Sequence, residues 1–375
     1  MKLQSQILVL ISPLLLSNFS YGAAWDRSNQ PSILLGYEYV DSLSALPTQG
    51  RLSDDKLPYS DTYWPNNRGG IAYRWNSSDP AFAWSNPKIQ ADPRILQYQS
   101  PSRSEALQMS RAQLAELSPT EKFDLVQGYY YYPLTRGVLS ELSVYDSYWE
   151  GMCHGWAPAA LNHPEPAPVD VTNPDGVVVP FGSADVKALL NYYYGNYNMY
   201  ASQIGRRCDQ DLARNPRAAY RWECEDINAG AFHLAMTNLI GLRNKGFVAE
   251  VDRGVEVWNN PAFAYRYSID ETQTTGSIAS SARGTVRRVL VRMEMTIADD
   301  DENFGPTWDP VVGTPNYRQE TIHYQYYLDL GADDSILGGE WVSFERPDFI
   351  WIKNEMRFTG DFAALNSIYR PAARR

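Results

Sequence analysis

Cys153 stands in Trp149-Glu150-Gly151-Met152-Cys153-His154-Gly155-Trp156-Ala157-Pro158, small and aromatic residues at a loop-to-helix junction. The chain has three cysteines, so they cannot all pair. Cys208 and Cys224 are near enough in sequence to close a short loop, a bridge of roughly 3 kcal/mol. That leaves Cys153 as the thiol; an inactivating Cys153 bridge and a chain of free thiols are the alternatives. Residues 147–152 read as loop and 153–161 as a short helix limited by Pro158. A thiol at a helix start meets unpaired N–H groups and the positive end of the dipole, which favour thiolate. The same groups suit an oxyanion, so the expected chemistry is acyl transfer.

Such a nucleophile needs a base, and the chain offers four histidines. His154 adjoins Cys153 and would point away from it on a helix, since neighbours i and i+1 share no face. His163 lies in a Pro-bracketed loop and His323 among tyrosines on an expected strand, both reading as solvated or structural. His233, in the apolar run Gly230-Ala231-Phe232-His233-Leu234-Ala235-Met236, is the expected base: it fits a papain-like order of Cys on a helix, His on a later strand and a carboxylate or amide soon after. Asp252 is the first choice for the orienting residue and Asn259, in Val257-Trp258-Asn259-Asn260-Pro261, the second. Trp149, Trp156 and Trp258 are expected to form a poorly hydrated substrate channel that admits a lysine stem and disfavours water. Zinc is a poor fit, because the cysteines lack paired short spacings. Asp299, Asp300, Asp301 and Glu302 offer oxygen ligands for calcium, against the plainer reading of a solvated turn.

The elements that must position these groups read as an α+β protein. Residues 25–118 are rich in Pro, Ser, Asn, Asp and Tyr and form an N-terminal wrapping or pro-region. Ser102 with Glu105 is expected to open a helix that continues through Leu107, Leu114 and Leu117, and Ser118-Pro119-Thr120-Glu121 to open another. Residues 119–275 hold all three cysteines and His154, His163 and His233, and are expected to be the catalytic core. Residues 276–375, with β-branched and aromatic runs at 285–296 and 321–330, are expected to form an antiparallel β unit. Residues 1–24 resemble an export leader: Lys2, an apolar run at 7–16, and small residues through Ala24. A secreted protein follows. The formal charge of -11 argues against nucleic acid as a partner, and no stretch approaches a membrane span.

Gly151-Met152-Cys153-His154-Gly155-Trp156-Ala157-Pro158-Ala159-Ala160, followed by Pro164-Glu165-Pro166, and Val257-Trp258-Asn259-Asn260-Pro261-Ala262-Phe263-Ala264-Tyr265 together resemble the nucleophile segment and the elicitor peptide of the transglutaminase elicitor family. Tyr132-Pro133-Leu134-Thr135-Arg136 and Gly338-Gly339-Glu340-Trp341 extend the likeness, which runs from about Tyr59 to Phe349. The resemblance implies a papain-like core and a secreted, calcium-dependent protein-glutamine γ-glutamyltransferase. In such an enzyme Cys153 forms a thioester with a protein glutamine, and a protein lysine resolves it to an isopeptide. It also implies an N-terminal segment that keeps the enzyme latent. A secreted papain-like cysteine peptidase is the alternative, because the two reactions share the acyl-thioester. A non-catalytic surface or cell-wall binding protein is the third reading.

Overall fold

The computed structural model describes residues 25–85, 93–197, 200–208, 226–252, 254–276, 279–300 and 305–373, together with 210, 214, 215 and 217. The expected leader, Cys224, Asp301 and Glu302 lie outside these residues. Helices in chain order are α1 (Ser32–Leu35), α2 (Arg103–Ala106), α3 (Arg111–Ala115), α4 (Pro119–Val126), α5 (Pro133–Glu141), α6 (Cys153–Asn162), α7 (Ser183–Asn196), α8 (Ala229–Met236) and α9 (Leu365–Ile368). The strands are β1 (Gln49–Arg51), β2 (Val169–Thr172), β3 (Val178–Phe181), β4 (Ser202–Gly205), β5 (Phe247–Glu250), β6 (Asn259–Gly276), β7 (Arg287–Ala298), β8 (Gln319–Leu330), β9 (Ile336–Trp341) and β10 (Phe349–Ile352).

The two β-rich runs of the sequence became β7 and β8, paired antiparallel from Arg287↔Leu330 to Ala298↔Gln319. Val289, Val291, Met293, Met295 and Ile297 alternate along β7 and are buried, as a strand's period of two requires when one face meets a core. These strands do not form a unit of their own. One sheet runs β4-β10-β5-β6-β7-β8-β9, with β1 added to β6, so it crosses the boundaries expected near 118 and 275. β2 and β3 form a separate hairpin.

The stretch expected as one helix after Ser102 is two. Ser110 and Gln113 make a second capping box that restarts the chain as α3, and Ser118 with Glu121 makes a third at α4, where Pro119 takes the first turn. Each box satisfies N–H groups that a continuous helix would bond internally, so the chain turns at each. The main apolar core includes Trp156, Ala157 and Ala160 of α6, Phe232, Ala235 and Met236 of α8, and inward residues of β5–β8. A second core gathers α4, α7 and β3. Helices α6 and α7 cross closely at Gly155, where a Cβ would lie 1.9 Å from the Asn191 carbonyl oxygen. Any larger residue would push α6, and the cysteine at its first turn, away from α7.

Candidate active site

Cys153 is the first residue of α6, as the sequence suggested, and it is a free thiol, 4% exposed. The thiol donates to the Val257 carbonyl at 3.4 Å, and the Asn259 side-chain amide Nδ2 lies 3.7 Å from Sγ. Asn259 is itself fixed from behind: the Trp351 indole on β10 donates to its Oδ1 at 2.8 Å. The segment before α6 is tied to the N-terminal region. Met152 N donates to the Tyr63 carbonyl at 2.5 Å, Asn66 N to Glu150 O at 2.9 Å, and the Trp156 indole to Tyr59 O at 3.1 Å. Gly151 permits this contact, since a Cβ there would meet the Tyr63 oxygen at 2.5 Å. Residues 59–64 are buried throughout, so part of the expected wrapping segment is core.

A helix start was expected to lower the thiol's pKa, but it is pushed up to about 11. Burial is the largest cause and the nearby Asp300 carboxylate the next; the Asn259 backbone and side-chain amides pull the other way and do not prevail. Desolvation outweighs the dipole because a thiolate loses solvation on every side while the helix end acts along one direction. Asp300 lies two residues past the end of β7 and is buried. Burial, and then the charge of Asp299, push its carboxyl up to about 7, while Asn260 and Arg318 partly offset them. Its Oδ2 has no hydrogen-bond partner. A buried carboxyl titrating near neutrality with an unused acceptor, close enough for its charge to be felt at a cysteine, is suited to move a proton.

His233 is not brought to Cys153. It lies on α8 rather than on a strand, because Asn228 caps Gly230 N and Ala231 N and starts a helix there. Its Nδ1 bonds the Tyr326 hydroxyl at 2.9 Å, its ring stands edge-on to Tyr267, and burial pushes its pKa down to about 3. It is a neutral core histidine. Asp252 meets no imidazole either: its Oδ1 accepts from Gly254 N in a turn. Of the two choices for that role, only Asn259 lies at the thiol, and it reaches the sulfur directly.

The other histidines are also apart from the thiol's hydrogen bonds. His154 abuts Gly195 on α7; His163 is buried, bonded to the Tyr194 hydroxyl at 2.9 Å with burial taking its pKa down to about 4; His323 is exposed on β8 opposite Glu294. No ring contact joins Trp149, Trp156 and Trp258. Trp156 is fully buried, Trp149 is half-buried in the loop before α6, and Trp258 alone borders the thiol's neighbours. Cys208 is buried, and its expected bridge to Cys224 lies outside the described residues.

Asp300 is the residue that sequence reasoning misplaced, as one of four calcium ligands. Its run of acids reads as a solvated turn. Only the antiparallel pairing of β6 with β7, which sets Ala262 opposite Ile297, carries it to the start of β6 where Asn259 and Asn260 lie. Asp301 and Glu302 of the expected calcium set lie outside the described residues, and among the described residues no group of three or more acidic, His or Cys side chains could hold a metal ion.

The loop between β5 and β6 is held at both ends by Glu250, whose Oε1 accepts from Asp252 N at 3.0 Å and Trp258 N at 3.1 Å. Burial, and then the Asp348 carboxylate, push the Glu250 carboxyl well above its ordinary range. This loop delivers the Val257 carbonyl to the sulfur.

The sequence model of the family described as transglutaminase elicitor matches residues 35–359. Among solved structures, the chain is similar in fold to the crystal structure of the GP42 transglutaminase from Phytophthora sojae, with 19% identity and a TM-score of 0.65 over 92% of this chain and 97% of that one. No curated protein matches.

Proposed function

As the chain belongs to the transglutaminase elicitor family, we propose that it is a protein-glutamine γ-glutamyltransferase that works through a thioester on Cys153. The observation that carries this reading is the buried thiol at the head of α6, with the Asn259 amide on its sulfur and Asp300 beside it. In the first half-reaction the thiol proton passes to the Asp300 carboxylate as Sγ bonds to the side-chain carbonyl carbon of a glutamine. The Asn259 amide and the first N–H groups of α6 stabilise the oxyanion. The C–N bond then breaks, and Asp300 returns the proton to the departing ammonia. In the second, a lysine amine bonds to the thioester carbon, its proton passes to Asp300, the C–S bond breaks, and the sulfur recovers the proton. The arrangement is papain-like in setting a cysteine at a helix start against a sheet, with a carboxyl in place of the imidazole.

The closed arrangement is a resting one. With the thiol pushed up by burial, moving its proton to the carboxyl is uphill in this closed arrangement. Loss of the Val257 contact and a shift of the residue 59–64 segment would open the thiol, which is the sense in which the N-terminal region keeps the enzyme latent. No step is routed through calcium. Export, from the leader-like residues 1–24, belongs to the same reading; among the described residues no helix is long and apolar enough to cross a membrane.

The test is incorporation of a labelled primary amine into casein with release of ammonia, by the chain and by Cys153→Ser, with and without calcium. Cross-linked casein that is lost with Cys153→Ser supports the reading. Shortened casein without amine incorporation establishes the peptidase instead.

A further inference from the structure

Glu256 sits beside the nucleophile in the loop between β5 and β6. It directly precedes Val257, whose carbonyl touches the Cys153 thiol. One carboxylate oxygen accepts from the Tyr148 hydroxyl and the other from the Trp258 indole at 3.0 Å, both neutral donors. Several buried carboxylates elsewhere are paired with cations, Glu121 with Arg74, Glu165 with Lys187, Asp185 with Lys122 and Asp329 with Arg288, whereas Glu256 is half-buried. Among the described residues no Lys, Arg or His forms an ion pair with Glu256. Its charge is felt locally, since after burial it is the next cause raising the Asp252 carboxyl.

Aromatic surface frames this carboxylate. The Tyr63 ring stands edge-on to Trp258 with centroids 5.2 Å apart, and its hydroxyl donates to the Tyr148 carbonyl at 2.7 Å. Tyr63 is buried while Tyr148 is 50% exposed, so the frame has a closed floor and an open rim. A carboxylate held by the polar edges of two aromatic side chains, with a third ring packed on one of them, favours an organic cation whose apolar stem lies along the rings.

We propose that Glu256, framed by Tyr63, Tyr148 and Trp258, is the subsite that receives the ammonium group of the acyl acceptor. The proposal rests on the transferase reading above and adds to it how an amine is chosen over water, which the charge does not attract. The acceptor arrives as an ammonium ion and gives up one proton to solvent; the free amine nitrogen then bonds to the thioester carbon, its second proton passes to Asp300, the C–S bond breaks, and the sulfur recovers that proton.

The test compares two acceptors on the full chain with casein as donor: a biotin-tagged aminopentane, cationic at neutral pH, and hydroxylamine, uncharged there. Glu256→Gln should raise the KM of the aminopentane relative to that of hydroxylamine by about tenfold or more, the size expected for a charge-assisted hydrogen bond. Glu256→Asp should restore part of that ratio. Tyr148→Phe, which keeps the ring and the carboxylate, should leave the ratio unchanged. An unchanged ratio in Glu256→Gln overturns the subsite while leaving the transferase reading intact. So does a Tyr148→Phe variant that impairs both acceptors as Glu256→Gln does, because Glu256 would then only latch the loop. A wild-type chain that transfers to neither acceptor removes the transferase reading, and the subsite with it.

Discussion

Replacing Asp300 by Asn should make the protein more stable at alkaline pH and nearly inactive. Burial lifts this carboxyl from an ordinary 3.8 to about 7, so the native fold favours the protonated form. For a group raised on folding, the stabilisation is fully present below the unfolded pKa and is lost as pH rises through the folded one. Asp300 thus costs stability progressively between about pH 4 and pH 7, reaching about 4 kcal/mol at 1.36 kcal/mol per pKa unit. Asn has no proton to lose, and it fills the same space. Thermal and urea unfolding of both proteins from pH 4 to pH 8 should therefore show a gap that grows with pH in favour of Asp300→Asn. Amine transfer by the variant should fall by at least a hundredfold, the scale of a lost acid–base group. A stability gap that stays flat with pH, or that favours wild type at pH 8, would refute the account of a buried, reluctant carboxylate. Full activity in the variant would refute its role in moving the proton.

Exchanging His233 for Phe should leave kcat/KM within a few-fold and lower stability by about 1–3 kcal/mol, because the Tyr326 hydroxyl loses its partner. Since folding depresses the pKa of His233 to about 3, its contribution is present above about 6.5 and lost as pH falls. The variant's deficit should accordingly narrow in acid, which unfolding curves at pH 4 and pH 7 will show; a large loss of turnover would reinstate His233 as the base. Asn259→Ala should slow thioester formation by about a hundredfold in single-turnover assays, the scale of a missing oxyanion donor, and an unchanged rate would remove it from the site. Iodoacetamide should modify Cys153 of the intact chain slowly at neutral pH, at a rate climbing tenfold per pH unit toward 11. Rapid modification at neutral pH, read by mass spectrometry, would contradict the closed thiol.

Cys153 was legible because its signals are local: a small-residue loop, a helix start and an odd cysteine. The capping residues around α4, and the alternation along β7 and β8, were legible for the same reason. His233 misled because an apolar run with one histidine has the composition of either a buried strand or a buried helix, and Asn228 decides between them through a cap five residues before it. Asp300 and Asn260 lie 40 positions apart and meet only through strand register. Register is a property of two segments at once, so neither segment alone announces the pair. The separate C-terminal unit failed likewise, since composition marks where strands are but not which strands they join.

β10 is threaded between β4 and β5, although some hundred residues separate it in sequence from β5. Its Trp351 is the group that holds Asn259 at the sulfur. Strand pairings of such long sequence separation form late, after the cost of closing the intervening chain has been met. The nucleophile is consequently assembled last: a nascent chain ending before residue 349 carries Cys153 and Asn259 but lacks the indole that sets them against each other. On the proposed reading, the transferase becomes competent only once the strand that carries this indole has paired into the sheet.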